Sequence, residues 1–189
     1  AAEELGVPIL WVVRTGNETD RPIEELKVIS KKCRGLFGFS LRGKRDMCLL
    51  ARELNISDSE GVSVLCRRMR KKCPYYQNLS NYRIKVSRPL LFSEILKLGF
   101  NARVCPYFLQ LYILNSADLI SMSYNYIFSE RIRWSIRSFL KLKDSILVVD
   151  EAHNLQSVIA SINSDRITTG TVERALNELS NSVASFSMR

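Results

Sequence analysis

ILVVDEAHNL, residues 146–155, runs four apolar residues straight into two adjacent carboxylates. Ile146 to Val149 fit a parallel strand covered on both faces, and in open α/β sheets ligands gather at the carboxyl ends of such strands. Asp150, placed there, can hold magnesium, and Glu151 beside it has the position and basicity to orient an attacking water, as in phosphoryl-transfer enzymes. A strand followed by a polar helix cap accounts for Asp150 equally well. His153, the only histidine of the chain, tips the balance toward nucleotide chemistry.

Working outward, the flanking sequence keeps an α/β rhythm. Leu119 to Ser123 reads as a strand, Pro106 to Asn115 and Ser129 to Leu140 have helical periodicity, and Ile9 to Val13 is a further strand. A helix begins near Asp20-Arg21-Pro22, with Asp20 as cap and Pro22 in the first turn. Strand, helix, strand at these lengths makes βαβ units, hence a parallel sheet. Residues 31–104 differ in kind, with glycines, basic clusters and short helical stretches such as Met47 to Leu54 and Ser93 to Leu98. This part has little core of its own, and a metal would supply the missing order. The expected division is 1–30 and 105–155 as parts of one α/β domain, 31–104 as an insertion bordered by Cys105, and 156–189 as the start of another unit, helical near Thr171 to Leu179. The tetrapeptides CPYY (73–76) and CPYF (105–108) echo each other.

Composition narrows the class. A net charge of +9 and a pI near 9.5 attract polyanions. The cations cluster as Lys31, Lys32, Arg34, Arg42, Lys44 and Arg45, then as Arg67, Arg68, Arg70, Lys71 and Lys72, and both groups flank cysteines. Dense patches of this kind serve phosphate contacts, a solvated face being the plainer use. No apolar stretch nears the roughly 20 residues that span a bilayer, and the N-terminus lacks a basic signal region; a soluble chain with no membrane partner is expected. Five cysteines, an odd number, fit a disulfide framework poorly and a thiolate-bound metal in a reducing compartment better. Zinc sites use tight cysteine pairs, which are absent here, so zinc is disfavoured without being ruled out by spacing.

With Asn154 behind it, DEAH at 150–153 resembles the Walker B motif of iron-sulfur helicases of the second helicase superfamily, in the XPD-like branch. Arg14, Thr15, Asn17 and Glu18 resemble that family's R-T-x-N-E segment, Cys105-Pro106-Tyr107-Phe108 its last cluster ligand and the helix it opens, and Ser123-Tyr124-Asn125-Tyr126 its aromatic segment. Roughly the first 155 residues are covered. The resemblance implies a partial RecA-like motor domain, an inserted mainly helical or irregular iron-sulfur domain, and the beginning of a helical arch.

The same resemblance implies site residues. Cys48, Cys66, Cys73 and Cys105 would hold a 4Fe-4S cluster, Asp150 magnesium and Glu151 the water, while His153 couples the ATP site to DNA. Arg14, Thr15 and Asn17 would touch the DNA backbone; Lys44, Arg45, Arg67 and Arg68 would grip it beside the cluster, and Tyr124 and Tyr126 would stack on bases. Tyr107 and Phe108 are expected against the cluster, Trp11, Trp134 and Phe139 in the core, and Cys33 as a partly buried free thiol.

No G-x-x-x-x-G-K-[ST] loop occurs in the sequence, and the second motor domain is missing. The chain reads as a central excerpt that would not hydrolyse ATP alone. The parent would be a monomeric 5′-to-3′ helicase of nucleotide excision repair acting on single-stranded and forked DNA, with unidentified repair partners. The short, lysine-rich insertion points to an archaeal source, cytoplasmic and nucleoid-associated; a eukaryotic parent would be nuclear. The competing readings are a non-catalytic, metal-stabilised nucleic-acid-binding module and, more weakly, a zinc-dependent protein-interaction module.

Overall fold

A computed structural model describes residues 6–33, 35–84, 86–140, 142–164 and 169–186. Arg34 of the first basic cluster and part of the expected unit 156–189 lie outside the described residues. Four strands, β1 (Ile9–Val13), β2 (Gly38–Ser40), β3 (Leu119–Ser123) and β4 (Ile146–Val149), form one sheet in the order β2-β3-β1-β4. Every pairing is parallel, with Leu10 opposite Ile120 and Leu147. The predicted α/β class and three of the four strands therefore hold.

The helices are α1 (Arg21–Ile29), α2 (Lys44–Met47), α3 (Leu49–Glu53), α4 (Ser59–Met69), α5 (Pro74–Gln77), α6 (Phe92–Asn101), α7 (Pro106–Ile113), α8 (Asn125–Phe128), α9 (Glu130–Ile136), α10 (Leu155–Asn163) and α11 (Thr169–Phe186). Strand alternation divides them between two faces. Leu10, Val12, Phe39, Ile120 and Met122 point into the large core, which also takes Met47, Leu49, Tyr75, Ile95, Val104 and Leu109. Ile9 and Leu119 point the other way, against Ile23 and Leu26 of α1.

Several expectations are corrected. Residues 31–104 contribute to the sheet, because Gly38–Ser40 pairs with β3 and Leu90 bridges Phe39; the cysteine-bearing helices share the large core instead of standing apart. The entry to β2 is held by Asp118, whose Oδ2 accepts from the Phe37 amide at 2.7 Å. β4 is an edge strand, partly open to solvent, with Leu147 44% exposed. Asp20 precedes α1 without capping it; its Oδ1 accepts from the Ser40 hydroxyl and from the Phe92 amide, tying α1 to β2 and α6. The helix expected from Met47 to Leu54 is interrupted at Cys48, whose backbone is extended. Arg42 is buried at 6% exposure, stacked 4.3 Å over Phe92, so it adds nothing to the basic surface. Cys33 is exposed, and Trp134 lies outside the core at 61% exposure.

Two positions carry the junction between α1, the sheet and α6. A β-carbon on Gly38 would stand 2.5 Å from Leu26 Cδ2 and 2.6 Å from the Leu119 carbonyl oxygen. A side chain there collides with backbone that is itself paired. Glu94, in the first turn of α6, accepts from Lys27 of α1 at 2.5 Å, from Arg88 at 2.8 Å and from the Leu91 amide at 2.8 Å. Burial alone would raise its pKa, but the Lys27 ammonium, the Leu91 amide and the Arg88 guanidinium together hold the carboxyl down to about 2.

Gly38→Ala should lower unfolding free energy by about 2–3 kcal/mol, as overpacking at a fixed backbone does, seen as a lower urea midpoint; an unchanged midpoint would refute the close packing. Because the Glu94 carboxyl titrates lower when folded, its contribution is full above the unfolded value near 4.5 and is lost as pH falls toward 2. Glu94→Gln should cost about 1–2 kcal/mol at pH 7, discounted for partial exposure. The deficit should shrink in urea melts taken at progressively lower pH within that window.

Candidate functional site

Parallel pairing brings the ends of β1, β3 and β4 to one edge. The Asp150 amide donates to the Val12 carbonyl at 2.9 Å, and the Tyr124 amide to that of Val13 at 2.8 Å. The Tyr124 hydroxyl donates to the Asp150 carbonyl, so a fully buried ring stitches β3 to the turn after β4. Burial first, then Asp150, Glu151 and Glu18, raise the Tyr124 phenol against the opposing pull of Arg14. Three acidic groups and one arginine, from two segments distant in sequence, thus act on one hydroxyl.

Asp150 is half-buried and its Oδ2 accepts from Trp11 Nε1 at 3.3 Å. Trp11 is consequently part of the site instead of plain core. The sequence held a usable signal, since in the parallel register Trp11 faces Val148, which shares its side of the strand with Asp150. The two line a cavity of about 180 Å³ with Arg21, Pro22, Glu25 and Leu119. Glu151 adopts a left-handed backbone, φ 51° and ψ 42°, an uncommon state for a non-glycine residue and one that gathers at functional turns. Its carboxylate is exposed, 3.3 Å from His153 Nε2, which in turn meets Asn154 Nδ2 at 3.0 Å. Asp150, Glu151 and His153 are therefore brought together.

Arg14, Thr15 and Asn17 follow β1 directly and all are exposed. The turn is fastened by the Thr15 amide donating to Glu18 at 2.9 Å and the Thr19 hydroxyl to Gly16 at 2.8 Å. Arg42 packs beneath it, since a β-carbon on Gly16 would be 2.9 Å from Arg42 Nη1. Tyr124 and Tyr126, expected to stack on bases, are 0% and 8% exposed. They serve packing and hydrogen bonding, and their rings are not offered to a nucleic acid. Arg45, Arg67 and Arg68 are exposed, and Lys44 is half-buried, its Nζ 5.2 Å from the Tyr107 ring centre.

Three of the four cysteines share one local design. Cys48, Cys73 and Cys105 each sit immediately before a short helix, α3, α5 and α7, and the latter two are followed by proline at the first helical position. The echo of CPYY and CPYF is thus a repeated local structure, joined by the Cys105 amide donating to the Tyr75 carbonyl at 2.7 Å. Helix N-termini aim free amides at sulfur. Cys48 Sγ accepts from Ala51 at 3.4 Å, and Cys105 is met by the amides of Phe108 and Tyr107.

Cys66 is within α4. The thiols influence one another: Cys48 feels Cys66 and Cys73, and Cys105 feels Cys48 and Cys73. Burial chiefly raises Cys105, to about 12, so a metal binding there must displace a proton. Among the described residues no group of three or more His, Cys, Asp or Glu could hold a single metal ion. Donor chemistry nonetheless fits an iron-sulfur cluster, which takes four thiolates and is tuned by amide-to-sulfur hydrogen bonds. No described helix is long and apolar enough to cross a membrane.

Comparison with known proteins meets this geometry at both ends. The chain is 32% identical over 152 residues to the ATP-dependent DNA helicase CHL1 of Candida glabrata, covering 74% of this chain and 18% of that one. To the general transcription and DNA repair factor IIH helicase subunit XPD of Dictyostelium discoideum it is 24% identical over 200 residues, 94% of this chain and 26% of the relative. A regulator of telomere elongation helicase 1 homolog from Anopheles gambiae is 25% identical over 186 residues, 94% of this chain and 18% of the relative. The chain thus spans about a fifth to a quarter of the length of these curated relatives. They come from a yeast, a slime mould and a mosquito, which lends no support to the expected archaeal source. Among solved structures, one titled Truncated XPD superposes with a TM-score of 0.56 at 32% identity, covering 80% of this chain and 42% of that one. That likeness, with the parallel sheet, makes the fold part of a RecA-like domain. A family model described as DEAD_2 matches residues 11–172, and the chain accordingly belongs to the DEAD_2 family, with XPD-like helicases as its relatives.

Proposed function

We propose that this chain is the portion of an ATP-dependent DNA helicase that carries the magnesium-binding and water-orienting carboxylates, together with the iron-sulfur insertion. One observation carries the reading. Asp150 and Glu151 leave β4 at the same sheet edge where Arg14, Thr15 and Asn17 leave β1, with Tyr124 hydrogen-bonded across them. An edge that adjoins a nucleotide-type carboxylate pair to an exposed polar and basic turn is suited to couple ATP hydrolysis to movement along a strand.

In this reading Asp150 would hold magnesium through its carboxylate, the ion supplying neutralising charge to the nucleotide phosphates. Trp11 fixes one carboxylate oxygen and leaves the other free. Glu151, thrown outward by its left-handed turn, orients and deprotonates the water, and His153 links it to Asn154 and α10. Arg14, Thr15 and Asn17 contact the DNA backbone. The cysteine-bearing stretch between β2 and Leu90 acts as an insertion that grips DNA through Lys44, Arg45, Arg67 and Arg68, with 1–30, Gly38–Ser40 and 105–155 as motor and 156–189 opening an arch.

Cys48, Cys66, Cys73 and Cys105 would hold a 4Fe-4S cluster, whose contribution is to crosslink three helix starts and α4, which are far apart in sequence. Single-stranded and forked DNA are the substrates, with 5′-to-3′ polarity, repair partners, a monomeric state and a place in nucleotide excision repair following the XPD-like relatives; a nuclear location follows their eukaryotic sources. In the full-length protein Glu151→Gln should lower DNA-stimulated ATPase kcat by about 10²–10⁴-fold, the range for loss of a general base, with little change in nucleotide KM. Wild-type turnover in that variant would defeat the assignment, and a parent that binds DNA without hydrolysing ATP would favour the binding-module reading.

A further inference from the structure

Helix α9 carries an unexpected surface. Trp134 is 61% exposed and the Arg137 guanidinium lies 3.8 Å from its ring centre. Arg131 and Arg133 are exposed as well, and Glu130 is the only acid on the helix. Arg131, Trp134 and Arg137 follow one another at three-residue spacing, which makes them successive neighbours along one side of a helix. The opposite side is occupied, with Ile136 buried, and the exposed Ser135 hydroxyl donates to the Ile132 carbonyl at 2.7 Å.

An exposed indole beside cations suits a ligand that uses both. An acidic peptide would use the guanidinium groups alone, and a duplex presents phosphates but keeps its base faces stacked. Unpaired nucleic acid offers a phosphate and a free base face together. We propose that Arg131, Trp134 and Arg137 form a platform for single-stranded DNA, one base stacking on the indole and the flanking phosphates pairing with the two guanidinium groups. The proposal rests on the helicase reading and adds to it a stretch of the strand's path, on a helix outside the carboxylate edge.

The test uses the intact protein, purified without oxygen, and a short fluorescent oligothymidine. Trp134→Ala should weaken binding by about fivefold or more, the range for one lost base stack. Trp134→Phe should keep most of the affinity, and duplex binding should change by less than about twofold in both, because a duplex offers no free base face. Arg131→Gln combined with Arg137→Gln should make the salt dependence shallower by about 1.4, at about 0.7 per phosphate contact on a single strand. Quenching of tryptophan emission by unlabelled oligothymidine should be lost in Trp134→Phe. Wild-type affinity in Trp134→Ala overturns the platform while leaving the helicase reading intact, and so does an equal loss for single strand and duplex. A wild-type protein that binds no oligothymidine overturns both.

Discussion

Everything at the candidate site depends on β1 lying in parallel register between β3 and β4. That pairing makes three segments end on one edge, Arg14 after β1, and, more than a hundred residues later, Tyr124 after β3 and Asp150 after β4. Tyr124 then converts adjacency into fixed geometry. Its amide and hydroxyl reach β1 and the Asp150 turn respectively, and a fully buried ring has no freedom to give up further. The carboxylate pair and the polar turn consequently share a rigid backing.

The cysteine segment solves a different problem with a similar economy. Short helices such as α3 and α5 are marginal alone, and they gain order from the large core they share with the sheet. The N-termini of α3 and α7 bring amides to Cys48 and Cys105, while Cys73 starts α5 without such a bond. Lys44 over Tyr107, and Arg70 within 6 Å of both Tyr76 and Phe108, line aromatic rings with cations beside this cradle. Positive charge is thereby concentrated beside the thiols.

How far the sequence revealed this differs residue by residue. β1, β3 and β4 were legible because they are apolar runs bounded by turn residues, and the carboxylates because a strand must end where they begin. β2 was not, since three residues containing a glycine carry no periodicity, and only close packing against Leu26 and Leu119 explains Gly38. α4 was missed because Val62 is its sole buried residue; its signal was the capping Asp58, which accepts from the Gly61 amide at 2.6 Å. Burial of the aromatics was the least legible feature. Tyr124 and Tyr126 turn inward and Trp134 outward, because helix and strand periodicity give the sides of an element but not which side finds a partner. Trp11 required the register between strands, which no single segment encodes.

The two halves of the account meet in the claim that iron and sulfide organise the cysteine segment. The most direct measurement is iron and acid-labile sulfide content, with a visible spectrum, of protein purified without oxygen, alongside Cys73→Ser. The account predicts about four irons and four sulfides per chain with broad visible absorption, and loss of both in the variant. Zinc in their place, or a fully folded protein with no metal, would contradict it.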